Sequence, residues 1–309
     1  MADEIQKLLK KHGYQRAGRH SAVKTCLWLK RSINNMGQCY KSRFYGIASH
    51  RCIQMTPTLQ CNQRCLHCWR AIDAAIPETP WDSPEVIVDE TLRAQERLVS
   101  GYGGSARADR GLWEESKNPR HVAISLAGEP TLYPSIGELV NAFHRKGLTT
   151  FVVSNGTRPE AIDEINPTQL YLSLTAPDRE TYLRVCRPER EEMWEDLLES
   201  LEILSEKRTR TAIRITLIEG VNDRDPRGYA ALINRATPDY IEIKAYMHLG
   251  FSRKRLERGA MPTHSKIKRF AQKIIEYTGY RWVDESEPSR VTLLSRDGKK
   301  EKIEREDAN

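Results

Sequence analysis

Three cysteines stand close together in this chain: Cys61, Cys65 and Cys68 form a C-x3-C-x2-C run, with His67 inside it and Trp69 directly after. A structural zinc takes four ligands and a four-iron cluster is ordinarily closed by four thiolates, so three sulfurs fall one short of either. A cubane held by three sulfurs keeps one iron open to a small ligand that chelates through nitrogen and carboxylate. Such a low-potential cluster suits one-electron chemistry on a bound cofactor. The spacing also admits a zinc knuckle completed by His67 or His50. Three more cysteines, Cys26, Cys39 and Cys52, lie thirteen residues apart each time, with Lys41 two residues after Cys39. Thirteen is too long for a local knuckle, so only the fold can bring these together. Cys186, beside Arg187 and Pro188, is left over as a buried or incidental thiol.

The elements that must position these groups follow a βα period. Residues 51–58 alternate into a strand that delivers the Cys61 loop, and strands are expected at 121–126, 150–154, 170–174, 211–218 and 240–244. Helices are expected at 89–99, 136–145, 190–207, around 229–236, and at 266–277. Residues 4–11 form a short amphipathic helix, the stretch after it is less regular, and 101–119 is a surface insertion without period. Residues 280–283 and 290–294 suggest a small terminal hairpin. Six strands alternating with helices imply an α/β fold, an incomplete (βα)6 barrel with a parallel sheet inside. Ligands of such sheets bind at the carboxyl ends of the strands. The polar punctuation sits there: Gly128–Glu129–Pro130, Asn155, Ser173, Thr175 and Asn222.

Composition bounds the partners. With 309 residues, 39% hydrophobic and 29% charged, the chain is an ordinary globular protein with room for a large core. No apolar run approaches the length of a membrane span, and 1–5 lacks a signal peptide's order, so a cytoplasmic protein is expected. In a reducing compartment, clustered thiols point to metal rather than disulfides. Residues 1–51 carry eleven Lys and Arg against Asp3 and Glu4, a net +9, and 244–273 carry a net +8, out of +7 for the whole chain. Two basic blocks around an acidic middle look like a polyanion surface, with Lys30, Arg31, Arg43, Arg253, Lys254 and Arg255 first among the phosphate contacts. The blocks also frame three regions: a basic extension (1–51), the partial barrel (52–250) and a C-terminal extension (251–309).

The Cys61/Cys65/Cys68 run resembles that of the radical S-adenosylmethionine (radical SAM) family, with Gly128–Glu129–Pro130 matching its GEP-type motif. The resemblance implies a first 4Fe–4S cluster on the three cysteines. It also implies S-adenosyl-L-methionine bound near Gly128, Glu129, Pro130, Asn155 and Ser173. The fifth-strand glycine motif is only loosely represented by 218–221. Cys26, Cys39 and Cys52, with Lys41 and Trp69, resemble more narrowly the archaeal tRNA 4-demethylwyosine synthase family. That resemblance implies a second 4Fe–4S cluster on Cys26, Cys39 and Cys52, and a Schiff base between Lys41 and pyruvate. It implies N1-methylguanosine at position 37 of tRNA-Phe as substrate. It also implies electrons from a separate donor of flavodoxin or ferredoxin type, because the flavodoxin-like domain of the eukaryotic form has no room before the barrel.

The chemistry is consistent with the residues. The methyl C–H of such a base is beyond any side-chain base and needs a hydrogen-atom abstractor. A lysine beside iron and basic neighbours such as Arg43 would be held as the free amine that imine formation requires. The target base, in a single-stranded loop, must be extruded, and Trp28, Tyr40, Tyr45, Trp69 and Tyr246 are possible stacking platforms. Two other readings stay open: a peptide-modifying radical SAM enzyme with an auxiliary cluster, and a non-enzymatic zinc-dependent RNA-binding module.

Overall fold

Strands buried on both faces alternate their side chains between two apolar environments, and here that alternation builds the barrel. The computed structural model describes residues 7, 9–71, 76 and 79–303. Two short strands, β1 (Gln15–Ala17) and β2 (Ser21–Val23), form a hairpin that pairs antiparallel with β3 (Cys52–Thr56). From β3 the sheet runs parallel through β4 (His121–Ile124), β5 (Thr149–Ser154), β6 (Gln169–Ser173), β7 (Arg210–Leu217) and β8 (Tyr240–Ala245). These are the six expected strands. A terminal hairpin of β9 (Arg281–Ser286) and β10 (Val291–Ser295) completes a ten-stranded sheet, β10 lying antiparallel to β8. All three regions separated by charge in the sequence thus feed one sheet.

One side of each strand meets the helices: Ile53, Val122, Ile124, Val152, Leu170, Leu172, Ile213, Ile215, Ile241 and Ile243 share one core. The other side faces inward. There Ala123, Phe151, Tyr171 and Ala212 pack against Tyr40, Phe44 and Tyr45. The barrel is therefore filled by a helix from the amino-terminal region, where the sequence had suggested only irregular chain. Helices α1 (Leu27–Ile33) and α2 (Tyr40–Tyr45) occupy that region, and at seven and six residues they are too short to display a period.

The remaining helices are α3 (Pro84–Ser100), α4 (Arg110–Ser116), α5 (Ile136–Arg145), α6 (Pro159–Glu164), α7 (Arg179–Cys186), α8 (Met193–Glu206), α9 (Pro226–Ala236) and α10 (His264–Thr278). Three differences from expectation have local causes. Helix α3 begins at Pro84 rather than 89, because Ser83 caps it through the Val86 amide and proline is tolerated in a first turn. The 101–119 stretch contains α4, capped by Asp109 and pinned where the Trp113 indole donates to the Val99 carbonyl at 3.0 Å. The 190–207 helix starts at Met193. Of the helix expected at 4–11, residues 7 and 9–11 are described and are helical; the rest lies outside the described residues.

Candidate functional site

The Cys61 loop leaves β3 and is fixed from three directions. The Glu129 amide donates to the Gln60 carbonyl at 2.7 Å. Gly128 makes that approach possible, since at φ +67° a Cβ would stand 2.2 Å from the Thr58 carbonyl oxygen and 2.5 Å from that of Gln60. On the second side, the Arg64 and Leu66 amides donate to the carbonyls of Cys186 and Val185 at the end of α7. On the third, Arg255 donates to the Leu66 carbonyl at 3.2 Å and also to that of Cys68. Arg255 therefore braces the loop and is not a free phosphate contact as its basic run had suggested.

All seven cysteines are free, and burial pushes the Cys61 thiol up to about 12. Cys186 is not isolated: its thiol is in hydrogen-bond contact with Cys65, which raises Cys65 even before burial does. The Arg70 guanidinium is hydrogen-bonded to Cys61 and stands in the field of Cys65 and Cys68. This is a residue that sequence reasoning passed over, although it follows Trp69 directly. Burial, then Arg255 and Arg70, pull His67 down to about 4, and His50 is bonded to Glu115 and Ser32. Among the described residues no three of His, Cys, Asp and Glu converge on a point as a single zinc would require. Three half-buried thiols on one braced loop, faced by a guanidinium, suit a three-sulfur cubane with its net negative charge.

The polar strand ends divide into braces and lining. Glu129 is buried and its carboxylate accepts from the Thr131 amide and hydroxyl, from Ser154 Oγ at 2.8 Å and from the Asn155 amide at 2.8 Å. Burial nonetheless raises its carboxyl. Asn155 Nδ2 donates to Asn62 Oδ1 at 2.9 Å, linking β5 to the cysteine loop. Pro130 opens a short 3-10 turn, and Ser173 ends β6 half-buried, in register with Arg214. Asn222 is structural, bonded to Ile218, Thr175 and Thr216. A cavity of about 940 Å³ opens beside the loop, its lining including Gln60, Cys61, Asn62 and Arg64 as well as Cys26 and Gln54.

The amino-terminal cysteines come together through element junctions. Cys26 caps α1, its sulfur accepting from the Leu29 amide at 3.3 Å; Cys39 precedes α2; Cys52 opens β3. Burial raises both Cys39 and Cys52, Cys52 to about 12, and each is raised further by Cys26. Lys41 points into the barrel, 9% exposed, with its ammonium 4.5 Å from the Phe151 ring centre and 4.8 Å from that of Tyr171. Burial first, then Arg214, pull the Lys41 ammonium down to about 8, while Glu242, Cys52 and Cys39 oppose. The depressed value was expected, but its charged neighbour is Arg214 and not Arg43, which is occupied at 2.7 Å by Asp284.

Beneath Lys41 lies a network no sequence motif announced. Fully buried Glu242 accepts from Tyr45 at 2.9 Å, from Tyr40 at 3.1 Å and from Arg214 at 2.8 and 2.9 Å; Arg214 also donates to the Tyr40 hydroxyl at 3.0 Å. Burial alone would raise the Glu242 carboxyl, but Arg214, then Lys41 and Tyr45, hold it below the usual range. The visible signal is charge at alternate positions of otherwise apolar strands, Arg214 on β7 and Glu242 on β8.

Comparison with known proteins places this geometry. A radical SAM superfamily model matches residues 55–233, and a model described as wyosine base formation matches residues 235–296. The chain is 47% identical over 308 residues to the S-adenosyl-L-methionine-dependent tRNA 4-demethylwyosine synthase of Pyrococcus abyssi, covering 96% of this chain and 90% of that one. It is 45% identical to the same enzyme of Methanocaldococcus jannaschii, covering 96% and 97%. The mouse relative is 36% identical across 98% of this chain but only 42% of its own length. A solved structure of TYW1 with a lysine–pyruvate adduct superimposes with a TM-score of 0.90 at 44% identity, covering 99% of each chain; one of archaeal TYW1 does so at 0.82 and 41%, again with 99% of each covered. This chain belongs to the S-adenosyl-L-methionine-dependent tRNA 4-demethylwyosine synthases of the radical SAM superfamily.

Proposed function

We propose that this protein joins N1-methylguanosine at position 37 of tRNA-Phe to C2 and C3 of pyruvate, forming the tricyclic 4-demethylwyosine. The observation that carries the mechanism is the placement of Lys41: a buried amine with a depressed pKa, beside Cys39 and Cys52 and inside the barrel. A likeness to a structure holding a lysine–pyruvate adduct supports it. Cys61, Cys65 and Cys68 are assigned a 4Fe–4S cluster, and Gly128, Glu129, Pro130, Asn155 and Ser173 the S-adenosyl-L-methionine. Cys26, Cys39 and Cys52 are assigned a second 4Fe–4S cluster. When bound, the first cluster and S-adenosyl-L-methionine supply the radical that abstracts hydrogen from the methyl group.

The chain's own residues do the rest. The Lys41 amine attacks C2 of pyruvate and water leaves, giving an imine that activates C2 toward the methylene radical. Phe151 and Tyr171 wall the amine from solvent, and Arg214 disfavours its protonation. Homolysis of the C1–C2 bond then expels C1 as a carboxyl radical anion, which carries away the unpaired electron and restores the imine at C2. The guanine N2 adds to that carbon and displaces the Lys41 amine as the ring closes. Glu129 carries no proton in this scheme; its carboxylate holds β5 against the 128–131 turn. We assign electron delivery to a separate flavodoxin- or ferredoxin-type donor, as the family resemblance implies. We assign the enzyme to the cytoplasm, where its tRNA substrate would be met; among the described residues no helix is long and apolar enough to cross a membrane. The peptide-modifying alternative is not favoured, because relatives matched along nearly the whole chain are tRNA enzymes.

Anaerobic reconstitution followed by iron and sulfide counting tests the assignment. About eight irons in the wild type should fall to about four when Cys26, Cys39 and Cys52 are all changed to alanine. Four in both would remove the second cluster. Lys41→Ala should abolish product while S-adenosyl-L-methionine is still cleaved; unchanged product would remove the Schiff base.

A further inference from the structure

A flat purine must reach the cavity that Cys61 lines, and an aromatic pair stands at its wall. Of the five aromatic side chains the sequence offers as platforms, Tyr40, Tyr45 and Tyr246 are buried in the protein core. Trp28 lies under the Arg31 guanidinium, 5.1 Å from its ring centre, and is not among the lining residues. Trp69 lines the cavity, and so does Tyr14, which no sequence motif singles out. Their rings are stacked, centroids 6.1 Å apart and planes 18° from parallel. The Lys24 ammonium, also lining the cavity, stands 5.0 Å from each ring centre.

Trp69 and Lys24 are anchored through their backbones. The Phe251 amide donates to the Trp69 carbonyl at 2.9 Å, and Gly250 leaves room for that contact, since its Cβ would lie 2.3 Å from the same oxygen. Lys24 is tied by its own amide to the Gln54 carbonyl at 3.0 Å. Trp69 follows Cys68 directly, so a base stacked on it sits next to the loop that holds the cluster. A stacked pair beside a cation is what an extruded nucleobase requires, an aromatic face for its π system and a donor for its edge or its phosphate.

We propose that Trp69 and Tyr14 form the stacking platform for the extruded target purine, with Lys24 contacting its edge or its 5′ phosphate. This rests on the tRNA reading given above. The experiment uses a 17-nucleotide anticodon stem-loop RNA with 2-aminopurine at the target position, bound to the reconstituted enzyme, with emission and affinity recorded together. Stacking quenches this base, so wild type should bind with low emission. Tyr14→Leu and Trp69→Leu should bind about 10-fold more weakly or worse, with several-fold brighter bound emission. Tyr14→Phe and Trp69→Phe should stay quenched, a rescue that a purely structural contact would not link to emission. Iron content reports integrity of the Cys61 loop; if Trp69→Leu loses iron, Tyr14→Leu decides, being remote from that loop in sequence. Bright emission from wild-type complexes, or quenching unchanged in the leucine variants, would overturn the platform. A wild-type enzyme that fails to bind the stem-loop would instead sink the tRNA reading itself.

Discussion

At the scale of single residues, Lys41 is the side chain whose environment most alters its chemistry. An ordinary lysine is roughly 0.03% free amine at pH 7, whereas a value of about 8 leaves about 10%, a gain of some 300-fold in the reactive form. The rate of pyruvate adduct formation, trapped with cyanoborohydride and read by mass spectrometry, should therefore rise with pH and level off above about 8. A rise that continues to pH 10 would mean an unperturbed amine. The sign for stability follows from the same shift. Between about 8 and 10.5 the unfolded chain holds a proton on Lys41 that the folded chain has released, so this group adds to stability as pH climbs through that window.

At the scale of elements, α2 matters because it carries Lys41 and follows Cys39, yet six residues cannot hold themselves in a helix. Its first and last residues, Tyr40 and Tyr45, both donate to Glu242 on β8, so one carboxylate fixes both ends of the plug. Glu242→Ala would leave Arg214 as an uncompensated buried charge and two hydroxyls without their acceptor. The cost should be about 3–5 kcal/mol, a fall in Tm of roughly 6–15 °C by calorimetry. Glu242→Gln keeps one acceptor oxygen, enough for one of the two tyrosine hydroxyls, and should lose less than the alanine variant. If Glu242→Ala melts with the wild type, the network is not what anchors α2. The Cys61 loop is built on the same plan: α7, the 128–131 turn and Arg255 each brace it through backbone groups.

For the whole molecule, charge sets the approach of RNA. Lys30, Arg253 and Lys254 are exposed and Arg31 half-buried, while Arg43 and Arg255 are occupied by protein partners. Four single-strand phosphate contacts imply a slope near −2.8 in log affinity against log salt, or roughly 50-fold weaker binding from 50 to 200 mM. The double change Arg253→Ala with Lys254→Ala should shallow that slope by about 1.4. An unaltered slope would move the RNA to another face.

The six-strand order of the barrel was legible in the sequence because each buried strand is a β-branched or apolar run with its own turn residues. The Cys61 loop was legible because its three thiols sit in one local segment, where spacing alone limits what they can hold. The amino-terminal grouping of Cys26, Cys39, Cys52 and Lys41 was legible only through the family resemblance, not from spacing or period. Its thiols lie at the junctions of elements too short to show a period, and Lys41 looks like any other member of a basic stretch until α2 turns it into the barrel. Glu242 and Tyr40, 202 residues apart, meet only because α2 fills a sheet whose eighth strand arrives near the end of the chain. Burial is a property of the packed molecule. Only tertiary structure could remove Lys41 from water, set Arg214 beside it and give that lysine its chemistry, whereas the sequence by itself had already determined which residues would carry sulfur, charge and the sheet.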